Sequence, residues 1–226
     1  LKRERTCIMF ANRISNLKPF HAVALAVLTA LFVTLPGLSA AEQGFTSLFN
    51  GKNLKGWKAS ENVASWSVKD GMLVCAGPRS HLFYEAKQPF KNFELKVDVM
   101  TTPGSNAGIY FHTAFQDEGW PSKGYEVQVN VTHGDPKKSG GLYGIVDIAD
   151  PPVKDNTWYE TRIVVQGKQI KIWLDGKLQV DYTEPTGKLP NAKQPGRKLS
   201  DGTFCLQAHD PKSVVYFKNL RVKRLD

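Results

Sequence analysis

The chain is 226 residues long, 41% hydrophobic and 23% charged, with a formal net charge of +9 at neutral pH. That length suits one all-β unit with an ample core, or at most two domains. The positive excess is too mild and too scattered to point to nucleic-acid binding. Five basic residues and one acidic residue fall in positions 1–41, and the remaining excess of +5 is scattered in pairs such as Lys137 with Lys138 and Arg197 with Lys198, with no aromatic-interleaved basic stripe.

In chain order, the first element is an address. After Arg13 and Lys18 comes FHAVALAVLTALFVTL, apolar, helix-prone and shorter than the roughly twenty residues of a bilayer span, ending in the small-residue stretch GLSAAEQ. The expectation is a signal peptide over 1–41, cleaved after Ala41 or Ala40, with translation starting at Met9 behind upstream sequence. It implies export to the periplasm or the medium, with no membrane span once the signal is removed. An uncleaved anchor is the competing reading. A lipid anchor is disfavoured because no Cys follows the apolar run. Cys75 and Cys205 remain, each in an apolar strand-like context (MLVCAG and TFCLQAH) where a thiol packs as a small hydrophobe, although export would permit one disulfide. No Cys/His spacing suggests zinc.

From residue 44 onward, short β signals alternate with Gly, Pro and Asx turns. GFTSLFNGKNLKGWK opens with an Asn-Gly turn, and WSVKDGMLVCAG is two runs joined by Asp-Gly, a strong hairpin cue. NFELKVDVMT alternates cleanly, sending Phe93, Leu95, Val97 and Val99 to a core and Glu94, Lys96 and Asp98 outward. GGLYGIVDIADPPV follows the central stretch, and WYETRIVVQGKQIKIWLDGKLQVDYT carries two further hairpin turns. EPTGKLPNAKQPGRKLSDG reads as a long loop, and TFCLQAHD and SVVYFKNLRVKRL close the chain as strands. No three-turn amphipathic helix, repeat or linker interrupts this series. The expected fold is a single antiparallel β-sandwich, a jelly roll whose curved sheet has a polar concave face.

The central stretch, Pro103 to Val131, carries the chemistry. In YEVQVNV, Tyr125, Val127, Val129 and Val131 share one face, and Glu126, Gln128 and Asn130 the other. In GIYFHT, Ile109 and Phe111 oppose Tyr110 and His112. A carboxylate, two amides and an imidazole on one side of a sheet form the functional-group set of a polar binding cleft. A solvated outer face is the plainer alternative.

LFNGKNLKGW, WSVKDGML, FKNFELKVDV, GSNAGIYFHT, GYEVQVN, SGGLYGIVD and GTFCLQAHDPKSVVYFKNLRV, in that order, resemble the family of the domain of unknown function 1080, now called the 3-keto-disaccharide hydrolase domain, over about residues 44–225. The resemblance implies a concanavalin-like jelly roll, bacterial export and action on oxidised sugars. An ordinary glycosidase needs two carboxylates. The expected cleft face offers one, Glu126. A 3-keto sugar relaxes the requirement, because the ketone acidifies the C2 hydrogen and lets the C1 substituent leave by elimination, after which hydration completes a net hydrolysis. That route needs a base near C2, a donor at the C3 oxygen and a proton for the leaving group. His112 and Glu126 are the expected catalytic acid and base, and Gln128, Asn130 and Tyr110 are expected to hold the sugar. Other members carry Arg at the position of His112 and Asp near Asn130, so roles drawn from Arg-bearing members do not transfer directly.

Trp120 and Tyr125, and further along Tyr143, are candidate platforms for a pyranose face, against the commoner role of core aromatics. His209 shares a side with Gln207 and is a further candidate for the cleft, while His81 and His133 read as exposed loop residues. Trp57, Trp66, Trp158 and Trp173 read as packing residues. No cofactor is expected. A divalent ion between His112 and Glu126, or a calcium ion in the loop of Asp147, Asp150 and Asp155, is conceivable without a recognised ligand spacing. Two functions compete: an exported enzyme cleaving 3-keto-glycosides, and a non-catalytic carbohydrate-binding sandwich.

Overall fold

A computed structural model describes residues 42–226; the expected signal peptide lies outside the described residues. Thirteen strands follow in order: β1 (Thr46–Ser47), β2 (Trp57–Ala59), β3 (Trp66–Lys69), β4 (Met72–Ala76), β5 (Ser80–Tyr84), β6 (Phe93–Thr101), β7 (Asn106–Thr113), β8 (Tyr125–Asn130), β9 (Tyr159–Gln166), β10 (Gln169–Leu174), β11 (Lys177–Thr183), β12 (Thr203–Ala208) and β13 (Val214–Arg224). They form two antiparallel sheets. The larger runs β11-β10-β9-β6-β13-β4-β3 with β1 added on β13, and the smaller runs β2-β5-β12-β7-β8. The expected Asp-Gly hairpins are present. Asp70 and Gly71 join β3 to β4 with φ of 50° and 78°, and Asp175 and Gly176 join β10 to β11 with φ of 45° and 76°, the left-handed pair whose twist suits a two-residue hairpin.

The core lies between the sheets. Phe93, Leu95, Val97 and Val99 of β6 face it from the larger sheet, and Leu82, Ile109, Phe111, Val127 and Leu206 from the smaller. Phe93 meets Phe111 and Phe204 edge-on at 5.7 and 4.9 Å, aromatic contact that locks the two sheets together. Trp57 and Trp66 are buried as expected. Trp158 and Trp173 instead lie under Lys218 and Arg162. Cys75 on β4 and Cys205 on β12 are both buried and free, so the thiols pack as hydrophobes. Burial pushes the Cys75 thiol up to about 12.

Away from the core, the smaller sheet presents His81, Asn106, Tyr110, Glu126, Gln128 and Gln207, all buried although polar. Loops fold over this face and account for the burial. Segment 139–146 bonds along the free edge of β8, with Gln128 N–H donating to Gly141 O and Tyr143 N–H to Glu126 O, which also seals an exposed strand edge. The loops at 114–124 and 184–202 meet where Gly124 N–H donates to Gly196 O at 3.0 Å.

One departure from strict alternation matters. The register between β12 and β7 shifts between Thr203 and Cys205, so that Phe111 and His112 both oppose Phe204. This is a β-bulge, and His112 sits in it at φ 56°. The extra residue rotates His112 off the face it would share with Tyr110.

Candidate functional site

The polar face of the smaller sheet and its covering loops enclose a cleft of about 290 Å3, bordered by Tyr110, Trp120, Glu126, Arg197, Gln207 and His209 among others. Glu126 projects from β8 and crosses β7 to reach β12, where its Oε1 accepts from Gln207 Nε2 at 3.1 Å. The path is open because position 108 of β7 is glycine; a Cβ there would lie 2.6 Å from Glu126 Oε1. Oε2 of the same carboxylate accepts from Arg197 Nη2 at 3.0 Å, and both side chains are less than a tenth exposed. Arg197 enters from the 184–202 loop. It is placed by Gly196, which packs so tightly on the 114–124 loop that a Cβ would lie 1.9 Å from Ser122 O.

Several polar atoms here lack a protein partner. Arg197 Nη1 and Gln207 Oε1 are buried without hydrogen bonds, as are both ring nitrogens of His81. An unpaired buried donor or acceptor costs about 1–3 kcal/mol, and those of Arg197 and Gln207 belong to residues that border the cleft, an arrangement that suits a ligand, whereas His81 lies behind it. His81 is fully buried on β5, edge-on to Tyr110 at 5.8 Å and to Trp120 at 5.6 Å. Burial lowers its pKa to about 4, and the imidazole is neutral. The Tyr110 hydroxyl accepts from Gln207 Nε2 at 3.0 Å. Burial first, and then the Glu126 carboxylate, push its pKa well up, so it stays protonated.

At one end of the cleft, Gln128 Nε2 donates to Asn106 Oδ1 at 3.0 Å, and Asn106 Nδ2 lies 3.3 Å from His133 Nδ1. His209 stacks obliquely on Trp120 at 5.2 Å, and its Nδ1 lies 2.9 Å from Asp210 Oδ2. Partial burial would raise the Asp210 pKa, but hydrogen bonds from Ser213, His209 and the Lys212 backbone outweigh it and hold the carboxyl below its usual range. Trp120 remains 45% exposed as one wall, and Tyr143 carries Lys137 and Arg197 over its ring.

Glu126, Gln128, Tyr110, Trp120, Tyr143 and His209 therefore border one cleft, as the sequence suggested. Three expected residues do not. His112 accepts from Ser200 N–H through Nδ1 at 3.2 Å, donates through Nε2 to Lys91 O at 2.9 Å, and packs edge-on to Phe93. Burial lowers its pKa, so it is a neutral structural histidine. Tyr125 faces the core beside Phe111, its hydroxyl donating to Glu184. Asn130 spends its Nδ2 on the carbonyls of Asp135 and Lys137 and shapes the following loop. His81, expected at the surface, is buried.

The expected ion sites also separate. With His112 outside the cleft, it does not meet Glu126. Asp147 caps Gly144, whereas Asp155 bonds Thr101 and Thr132. Among the described residues, the one group of His and carboxylate ligands close enough to share an ion is His133, His209 and Asp210.

Arg197 and Gln207 are central residues that the sequence reading mentioned but did not place among the site residues. Gln207 was within reach, since it alternates with Leu206 and Ala208 beside His209. Arg197 carries no local signal, because it meets Glu126 across 71 positions from the middle of a loop.

Comparison with known proteins places these features in a family. The family described as the 3-keto-alpha-glucoside-1,2-lyase-like domain matches residues 44–223. The chain is 25% identical to a 3-keto-disaccharide hydrolase of Bacteroides thetaiotaomicron, with 81% of this chain and 79% of that protein covered. A Parabacteroides distasonis ATCC 8503 structure, provisionally assigned as a glycosyl hydrolase, aligns with a TM-score of 0.69 at 26% identity, covering 81% of this chain and 94% of that one. The carbohydrate-binding module CBM66 of Bacillus subtilis shares the fold at a TM-score of 0.53 and 16% identity, covering 74% and 95%. The sandwich, its sealed polar face and this match over nearly all described residues establish that the chain belongs to the 3-keto-alpha-glucoside-1,2-lyase-like domain family.

Proposed function

We propose that the protein cleaves 3-keto-glycosides by elimination across C1 and C2, followed by hydration, after export from the cell. The observation that carries this reading is that two residues bordering the cleft and held by the Glu126 carboxylate each keep one buried polar atom without a hydrogen bond, the donor Arg197 Nη1 and the acceptor Gln207 Oε1. A donor and an acceptor on two side chains that share the Glu126 carboxylate suit an α-hydroxy ketone, with the ketone oxygen on the guanidinium and the neighbouring hydroxyl on the amide. Arg197 is then also the electrophile at C3. As the C2 proton leaves, charge grows on the C3 oxygen, and a preset, buried cation stabilises that charge strongly. The electron pair moves into C1=C2 and the C1–O bond breaks. The proton removed from C2 is returned to the departing oxygen, so the step needs no oxidant. Water then adds its oxygen to C1 and a proton to C2.

Glu126 keeps Arg197 and Gln207 in register, and Trp120 offers a face to the pyranose ring. Among the cleft residues, Glu126, Asp135 and His209 carry side chains of the kinds that act as bases. The family description and the named Bacteroides relative support the substrate class.

The test is release of nitrophenol from both anomers of a 3-keto-glucoside, beside the unoxidised glucosides, with wild-type protein and Arg197→Met. Release from a keto substrate alone, abolished in the variant, is expected. Cleavage of the unoxidised glucoside would overturn the reading. Saturable sugar binding with no turnover would instead identify a carbohydrate-binding module.

A further inference from the structure

Resting on that reading, we infer that His209, oriented by Asp210, is the base that takes the C2 proton, and that His133 turns the N–H edge of its ring toward the same carboxylate.

Three features of the geometry lead there. First, Glu126 has both oxygens committed, Oε1 to Gln207 and Oε2 to Arg197, and its charge is held in a buried ion pair. Taking a proton would undo the contacts that aim the electrophile. Second, the tautomer of His209 is set. Asp210 Oδ2 can only accept, so the proton of the 2.9 Å contact sits on His209 Nδ1, and the lone pair that the ring can offer is on Nε2. Asp210 is itself held by Ser213 Oγ, which donates to Oδ2 at 2.7 Å, and by Lys212 N–H, which donates to Oδ1 at 2.9 Å. Nucleophile-activating and proton-transferring histidines are built this way: a carboxylate behind one ring nitrogen fixes the other as the base and stabilises the imidazolium that forms. Third, Trp120 stacks on the His209 ring, so the wall offered to a sugar and the proposed base are adjacent.

The same cluster could be taken for a cation site, since His133, His209 and Asp210 lie close together. The hydrogen bonds of His133 argue otherwise. Asp135 N–H donates to His133 Nδ1 at 3.1 Å, which puts the ring proton on Nε2, facing Asp210 Oδ2 at 3.9 Å. A metal ligand would need that nitrogen deprotonated, with the proton moved to Nδ1 against the Asp135 N–H. His133 therefore adds positive potential beside Asp210.

The experiment uses a 3-keto-glucoside in deuterated water and follows both aglycone release and entry of deuterium at C2, for wild type, His209→Ala, Asp210→Asn and Glu126→Gln. Asp210→Asn is nearly isosteric, but its amide would face Nδ1 and move the imidazole proton to Nε2. Both His209→Ala and Asp210→Asn should lower kcat by about 10²–10⁴-fold with KM little changed, and should lose C2 exchange. Added imidazole should restore part of the rate in His209→Ala and none in Asp210→Asn. Glu126→Gln leaves the base in place but loosens Arg197, and should slow C2 exchange and aglycone release together without abolishing exchange. Unchanged exchange in His209→Ala, with wild type active, would overturn the inference and leave the parent reading standing. Activity lost to a chelator and restored by a divalent ion would replace the base with a metal site. No release by wild type from any keto substrate would sink the parent reading itself.

Discussion

His81 gives the most quantitative expectation. Its ring is fully buried with neither nitrogen bonded, and burial brings its pKa from 6.5 to about 4. Above pH 6.5 the imidazole is neutral in folded and unfolded chains alike and does not bias folding. As pH falls below that value, the unfolded chain takes up a proton that the folded chain refuses, so stability drops by up to about 1.4 kcal/mol per pH unit until the folded ring titrates. At about pH 5 the shift from 6.5 to about 4 amounts to a loss of about 2 kcal/mol. His81→Phe keeps an aromatic ring against Tyr110 and Trp120 but removes this proton. Urea unfolding followed by tryptophan fluorescence, at about pH 7.5 and about pH 5, should therefore show wild type losing about 2 kcal/mol more than the variant. His112 and Asp210 remain in both proteins, so their titrations cancel in the comparison. Equal losses would mean that His81 takes up its proton in the folded state as readily as in the unfolded one, and so has a partner there.

Two further outcomes follow from the ion pair and the close approach. Arg197→Met strands the Glu126 carboxylate in a buried setting and should cost about 3–5 kcal/mol in denaturant unfolding, most of it regained in the Arg197→Met, Glu126→Gln double variant; additive losses would show that the two are not coupled. Gly108→Ala sets a methyl against Glu126 Oε1 and should break its charged hydrogen bond from Gln207, lowering stability by about 2 kcal/mol and aglycone release by about 100-fold. A Gly108→Ala protein with wild-type turnover would show that the carboxylate need not lie across β7.

What could be read from the sequence was whatever depends on neighbours along the chain. Strands β6 and β8 were legible because a period of two records which face meets the core, and the Asp-Gly turns because left-handed φ values demand those residues. The same logic placed Glu126, Gln128 and Tyr110 on one face. It failed at His112, where a single extra residue in β7 reversed the side chain; a bulge is decided by the register of β12, some ninety positions away, and leaves no mark on the alternation. Tyr125 was on the core face by the same alternation, but its amphipathic ring suggested a sugar platform, and Glu184 in a distant loop satisfied its hydroxyl instead. Asn130 kept its face but turned to the adjacent loop, as Asn side chains do when backbone carbonyls are in reach. His81 read as exposed because its surroundings looked loop-like; it lies in β5, and its burial comes from loops that no local pattern aims at it.

The division of labour around Arg197 has a consequence for how such a protein can change over time. The carboxylate, the amides and the phenol are rooted in strands, where a shift of one residue would turn core side chains outward. The guanidinium comes from a turn-rich segment fastened to its neighbour by the Gly196 and Gly124 contact. Insertions, deletions and substitutions in that segment can exchange the cation, move it along the sugar, or reshape the mouth for a different aglycone, while the sandwich beneath is left as it was. New substrate preference in this architecture should arise first between residues 184 and 202, and the frame that carries it should be slow to follow.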